Sequence, residues 1–226
     1  MRNKVITILL SVVALAGLTS CEKTTEGLTG TTYYPIITIL GETGVIYVGE
    51  EYTDPGCEAV MNGIDVTDLV VVRDNIDNTT PGIYHITYTA INEQGFSSSA
   101  SREVWVCKEN SFANLYHSVF NGSIYCGAIV ISDNGDGSYQ IQDICGGYYF
   151  LYKYPGYPYD FEAEVNVTIA ADGTLTPDGP AADWYWASDN FTLENGVYDS
   201  ATGEVSWDLY AAGDPFSSVK LTPVTK

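Results

Sequence analysis

Histidine is nearly missing from this 226-residue chain: His85 and His117 are the only two. Basic residues are scarce as well, nine Lys and Arg against 29 Asp and Glu, for a formal net charge of −20. The first shortage leaves little room for a Ser/His/Asp or Cys/His constellation, because each needs an imidazole beside a nucleophile and neither histidine stands in a nucleophile-elbow motif. Both sit in apolar, strand-like stretches, where a structural role is expected. The second shortage excludes nucleic acid as a partner, since phosphate binding draws on clustered Lys and Arg. Repulsion likewise keeps the body of the protein off anionic lipid headgroups. The chain also lacks a CxxC pair or Cys/His cluster at metal-binding spacing, and apolar residues at helical period over three turns. Nothing marks any two carboxylates as a glycosidase pair. Asp133-Asn134-Gly135-Asp136-Gly137 lacks the spacing and the later Glu of a calcium loop, and reads as a hairpin turn. A chain without catalysis, metal or cofactor is expected.

What is present begins at the amino terminus. Arg2 and Lys4 precede Val5–Leu18, which is apolar apart from Thr7, Ser11 and Gly17. That run is too short for a bilayer core of about 30 Å, which takes roughly 20 apolar residues, and it reads as a signal peptide over residues 1–20. Leu18-Thr19-Ser20-Cys21 resembles the bacterial lipobox; the alternative is an ordinary secretory signal with a chance cysteine. The resemblance implies that the sulfur of Cys21 takes a diacylglycerol, that the chain is cut just before it, and that several acyl chains anchor it stably. Residues 21–34, polar and rich in Thr and Gly, read as a tether. Glu22 and Glu26, interrupted by Lys23, resemble the export signal of Bacteroides-type outer-membrane lipoproteins. That likeness implies a lipid-anchored protein exposed at the cell surface.

From Pro35 onward the period is two and the punctuation is turns, so the fold class is all-β, with units expected at 35–107 and 108–226. In Ile83–Thr89 the alternation sets Tyr84, Ile86 and Tyr88 toward a core and His85, Thr87 and Thr89 away from it. The stretches GEEYTDPGCEAVMNGIDVT and NIDNTTPGIYHITYTAINEQGFSSSASREVWV resemble the bacterial surface-protein immunoglobulin-like domain. The landmarks are Tyr52, Asp54, Pro55 and Gly56, then Asp65-Val66-Thr67, then Pro81, Gly82 and Tyr84, and finally Arg102, Val104 and Val106. The family implies an Ig-like β-sandwich used as a spacer or adhesion module, and no chemistry.

Residues 108–226 are expected to form an antiparallel β-sandwich or small barrel, with strands including Ser123–Ser132, Ser138–Ile144 and Gly147–Lys153. In the hairpin centred between Gly135 and Asp136, opposed residue numbers should sum to about 271, the sum for Cys126 and Cys145. A Cys126–Cys145 disulfide is the expectation, with Cys57–Cys107 by elimination; four free thiols are the alternative. In GGYYFLYKYPGYPYDF, alternation sets Tyr148, Phe150, Tyr152 and Tyr154 on one face of a strand, and the prolines then force a loop. A second loop, DGPAADWYWASDN, concentrates further rings. Tyr157, Tyr159, Trp184 and Trp186 are the candidate ligand contacts, a platform for the apolar faces of sugars with Asp160, Asp183 and Asp189 alongside. The alternative is that these rings fill a core. Asp199-Ser200-Ala201 resembles an O-glycosylation sequon of Bacteroides surface proteins and makes Ser200 the candidate site. The function expected is a non-catalytic surface lipoprotein that binds glycan or assists nutrient capture; the alternative is a structural or adhesive module for a protein partner. Exposed rings would favour the first, an apolar patch or unpaired edge strand the second.

Overall fold

A computed structural model describes residues 31–159, 161–181, 185 and 191–226. The chain divides into Met1–Tyr33 and a compact unit, Tyr34–Lys226. Its first half carries β1 (Ile36–Ile39), β2 (Gly44–Tyr47), β3 (Cys57–Met61), β4 (Ile64–Asp65), β5 (Val71–Asp74), β6 (Gly82–Ile91) and β7 (Ser97–Cys107). They form two sheets, β1-β3-β4 and β2-β7-β6-β5, the second containing one parallel pair, β2 with β7. On β6 the alternation holds as the sequence indicates: Ile86 and Tyr88 are buried, Tyr84 packs against their cluster, and His85 faces water.

Four of the family landmarks in this half, Tyr52, Asp54, Gly56 and Arg102, form one network around the buried Arg102 guanidinium. Its guanidinium donates to the carbonyls of Leu40, Glu42 and Gly56 and to the Tyr52 hydroxyl, and lies 3.6 Å from the Asp54 carboxylate. Tyr88 donates its hydroxyl to the same carboxylate at 2.6 Å. A buried cation is tolerable when its terminal donors are met this way and a carboxylate lies beside it; Nε makes no hydrogen bond and faces Asp54. Asp65 and Thr67 close a second turn, the Thr67 hydroxyl accepting the Ala59 N–H at 2.9 Å. These motif residues therefore brace the fold.

The second half carries β8 (Asn114–Phe120), β9 (Ile124–Asp133), β10 (Tyr139–Ile141), β11 (Val165–Ile169), β12 (Leu175–Pro177), β13 (Thr192–Tyr198), β14 (Val205–Ala211) and β15 (Asp214–Pro223). They form a single sheet in the order β12-β11-β10-β9-β8-β15-β14-β13. It curls until its two ends touch at a Thr174↔Val197 bridge, where the Tyr198 N–H donates to the Gly173 carbonyl at 2.8 Å. The product is a near-barrel filled by apolar side chains that include Ile131, Ile141, Leu193, Leu209 and Trp207. An apolar seam of Cys107, Leu115, Ala128 and Val224 joins the two halves, flanked by Ile83 and Trp105.

Three expectations need correction. The stretch expected to be a strand over Gly147–Lys153 is a π-helical turn, Tyr148–Lys153. Gly146 and Gly147 both take left-handed φ, +63° and +80°, which turns the chain out of the sheet. The hairpin register sums to 272, with Asp133 opposite Tyr139 and Ile131 opposite Ile141. β10 ends there, so Cys145 lies beyond the ladder in the turn that follows and does not face Cys126. Cys57, Cys107, Cys126 and Cys145 all carry free thiols, those of Cys107 and Cys126 donating to the carbonyls of Ile46 and Ile124. Finally, β3, β4, β8 and β12 have no counterpart among the strands expected from the sequence. The turn at Asp133–Gly137 is the hairpin turn expected: its carboxylates accept the N–H groups of Gly135 and Ser138.

Candidate functional site

The aromatic segment is built on one buried carboxylate. Asp143, fully enclosed, accepts the backbone N–H groups of Cys145 at 2.9 Å, Gly147 at 2.6 Å and Ala163 at 3.0 Å. It thereby clasps both stems of the loop between β10 and β11. Burial pushes its carboxyl up to about 7, outweighing the three N–H bonds that favour the charged form. The Ile144 carbonyl next to it accepts the Trp207 indole N–H at 2.8 Å, which ties the turn to the barrel core.

From this clasp the chain winds through the π-helical turn, whose Gly147 carbonyl accepts from both Leu151 and Tyr152. Two ring stacks result: Phe120 on Tyr148 at 4.1 Å with Tyr152 beyond it at 5.8 Å, and Tyr154 on Phe161 at 5.1 Å. The Lys153 ammonium lies 5.4–5.8 Å from the ring centres of Tyr148, Tyr149 and Tyr154. Past Pro155 and Gly156 the rings come to the surface. Tyr157 and Tyr159 sit 5.5 Å apart, and Tyr159 meets Tyr185 of the second aromatic loop at 4.5 Å. The three keep 56%, 50% and 49% of their surface exposed. Phe161 backs them, in contact with Tyr157 at 5.9 Å and Tyr185 at 5.2 Å.

Tyr157 and Tyr159 are thus placed together, with Tyr185 as the neighbour that the sequence reading left out of its contact set. Trp184 and Trp186, with Asp160, Asp183 and Asp189, lie outside the described residues, as does Cys21. Ser200 is exposed on the turn between β13 and β14, where Asp199 accepts the Ala201 N–H. His85 is exposed; His117, half-buried at the seam, packs on Trp105 at 5.5 Å and is held below its ordinary pKa by burial. Burial raises all four thiols, that of Cys126 to about 11, so none is poised as a nucleophile. Among the described residues no group of three or more His, Cys, Asp and Glu is arranged to hold a metal ion.

A family model for the bacterial surface protein Ig-like domain matches residues 37–106. A second family model, described as a C-terminal domain, matches residues 74–223, well over half of the chain. A search of curated proteins finds no match. Among solved structures, the lipoprotein BT2262 from Bacteroides thetaiotaomicron is similar at 28% identity and a TM-score of 0.60, over 84% of this chain and 100% of that one. The M60 catalytic domain with the CBM51-1 and CBM51-2 domains of ZmpB from Clostridium perfringens aligns at 10% identity and a TM-score of 0.29, over 84% of this chain and 21% of that one. ZmpB CBM51-2 in complex with GlcNAc, with INT domains, aligns at 13% and 0.28, over 83% and 43%. Likenesses that distant have no bearing on function.

Proposed function

The chain belongs to the family defined by that C-terminal-domain model and carries a bacterial surface Ig-like domain, and on this premise we propose a non-catalytic, lipid-anchored envelope protein that binds glycan on the ledge of Tyr157, Tyr159 and Tyr185. The ledge is the observation that carries the reading. Burying an aromatic ring is strongly favourable, yet here three adjacent rings keep about half their surface in water, held there by a clasped loop rather than left to collapse. The tilts of 42° and 34° between successive rings form a shallow trough. Such a trough suits the apolar face of a sugar, with phenol hydroxyls at its rim. Trp184 and Trp186 flank Tyr185 in sequence and join the proposed contact. Anchorage falls to Cys21, in keeping with the lipoprotein nature of BT2262, and an exposed outer-membrane location follows from the acidic tether.

The test is an array of neutral oligosaccharides probed with the full chain. Tyr159→Ala and Tyr185→Ala should each weaken binding at least tenfold and leave the melting temperature within a few degrees. Unchanged binding, or a collapsed fold, would make these rings structural. A protein partner is the second reading, favoured by the Ig-like half: β4 and β5 are both edge strands, and Ile64, Leu69, Val71 and Val72 on and between them are each more than half exposed.

A further inference from the structure

A second recess lies where the near-barrel closes. The segment between β7 and β8, the hairpin between β11 and β12, and the end of β13 enclose a cleft of about 730 Å³, within the range of roughly 300–1,000 Å³ typical of ligand sites. Phe112 is its buried floor, met edge-to-face by Tyr139 at 5.0 Å and Tyr198 at 5.1 Å. The rim carries Asn110, Ser111, Asp172, Asp199 and Ser200, and no Lys, Arg or His lines it. An anionic ligand is therefore disfavoured. Both carboxylates are already engaged with their own turns, Asp172 with the Thr174 N–H and Asp199 with the Ala201 N–H and the Thr202 hydroxyl. What remains is a set of short neutral groups, hydroxyls and an amide, that both donate and accept above an aromatic floor. That chemistry fits an uncharged polyhydroxylated ligand better than an ammonium.

We propose that this cleft is a second carbohydrate site, for a neutral oligosaccharide, separate from the tyrosine ledge. Phe191, packed near Tyr149 at 6.2 Å, enters β13, and Tyr198 ends it. Seven residues of strand, roughly 20 Å, thus run from the Tyr149 side of the aromatic loop to the Tyr198 end of the cleft. One glycan chain long enough to span that distance would engage both, and avidity would exceed either affinity. The sugar class rests on the reading of the ledge, but the cleft stands on its own geometry.

The experiment titrates the full chain with maltohexaose, cellohexaose, xylohexaose and mannohexaose by calorimetry, with choline as the cationic comparison. Ala171→Trp places a large ring at an exposed rim position and should weaken cleft binding at least tenfold. Tyr139→Phe/Tyr198→Phe, which keeps the packing and removes two hydroxyls, should weaken it several-fold. Neither should alter binding at the ledge, which Tyr159→Ala and Tyr185→Ala remove instead. A single site, lost only in the ledge variants, overturns the cleft and leaves the ledge standing. A single site lost only in Ala171→Trp does the reverse. No sugar response to Ala171→Trp, or a response of choline alone, overturns the proposal.

Discussion

Asp143 shows how much one side chain can position. It is the shared acceptor of both stems of the aromatic loop, and its burial sets a pH dependence whose sign follows from its environment. The folded chain holds the Asp143 proton up to about pH 7, whereas an unfolded chain releases it near the ordinary carboxylate value of about 4. Between those values the folded state binds the extra proton, so the contribution of Asp143 to stability falls as pH rises through this window and levels off above it. Asp65, Asp77, Asp136, Asp172 and Asp199 act in the opposite sense: turn hydrogen bonds hold them below the usual range, and their stabilisation is lost in acid. Comparing wild type with Asp143→Asn isolates the one group. Urea midpoints measured from pH 4.5 to 7.5 should show wild type losing ground to the variant with rising pH. At a fixed pH the variant should also carry a local penalty of about 1–3 kcal/mol, because its amide N–H meets one of three donors. Parallel pH curves would show that Asp143 does not titrate in this window.

At the level of elements, what was legible depended on whether one face of a strand was wet. β6 alternates, so Ile86 and Tyr88 could be assigned to the core from sequence. β8 is buried on nearly its whole length, with only His117 and Val119 half-exposed, and therefore carries no period to read. The run from Tyr148 to Lys153 misled because rings at every other position satisfy a strand pattern. The Gly146-Gly147 pair is the available sign of a break, and the arm of the Asp143 clasp that reaches Ala163, 20 positions on, is not visible locally. The two aromatic loops could be placed on the surface from their prolines, but their meeting at Tyr159 and Tyr185 depends on the closure of the sheet. That closure rests on Gly173, whose φ is +88° and whose absent Cβ would stand 2.2 Å from the Tyr198 carbonyl oxygen. Gly173→Ala forces both a left-handed alanine and a backbone collision, so a loss of at least about 2 kcal/mol is expected, roughly 5 °C in melting temperature. Gly179→Ala, where nothing lies within 4 Å, should stay within a degree or so. Equal melting temperatures for the two variants would mean that the seam gives way at no cost.

On the scale of the whole molecule, packing joins the two halves and the charge balance is strongly acidic. Leu115 and Val224 from the near-barrel and Ile83 and Trp105 from the Ig-like half share one buried cluster, so the halves are joined by packing as well as by the chain. Without Arg2 and Lys4, seven basic residues face 29 acidic ones, a net charge of −22. A body so acidic is repelled by anionic headgroups. Among the described residues no helix is long and apolar enough to cross a membrane. The attachment proposed above is by acyl chains on Cys21, where two or more chains hold a protein that one would release. Partitioning in Triton X-114 tests this directly. The native chain should enter the detergent phase. A chain in which residues 1–20 are replaced by an ordinary secretory signal and Cys21 by Ala should stay in the aqueous phase, with its glycan binding unchanged. If both partition into detergent, some other surface of the protein holds the lipid; if both stay aqueous, Cys21 is not acylated and the tether begins at an unmodified terminus.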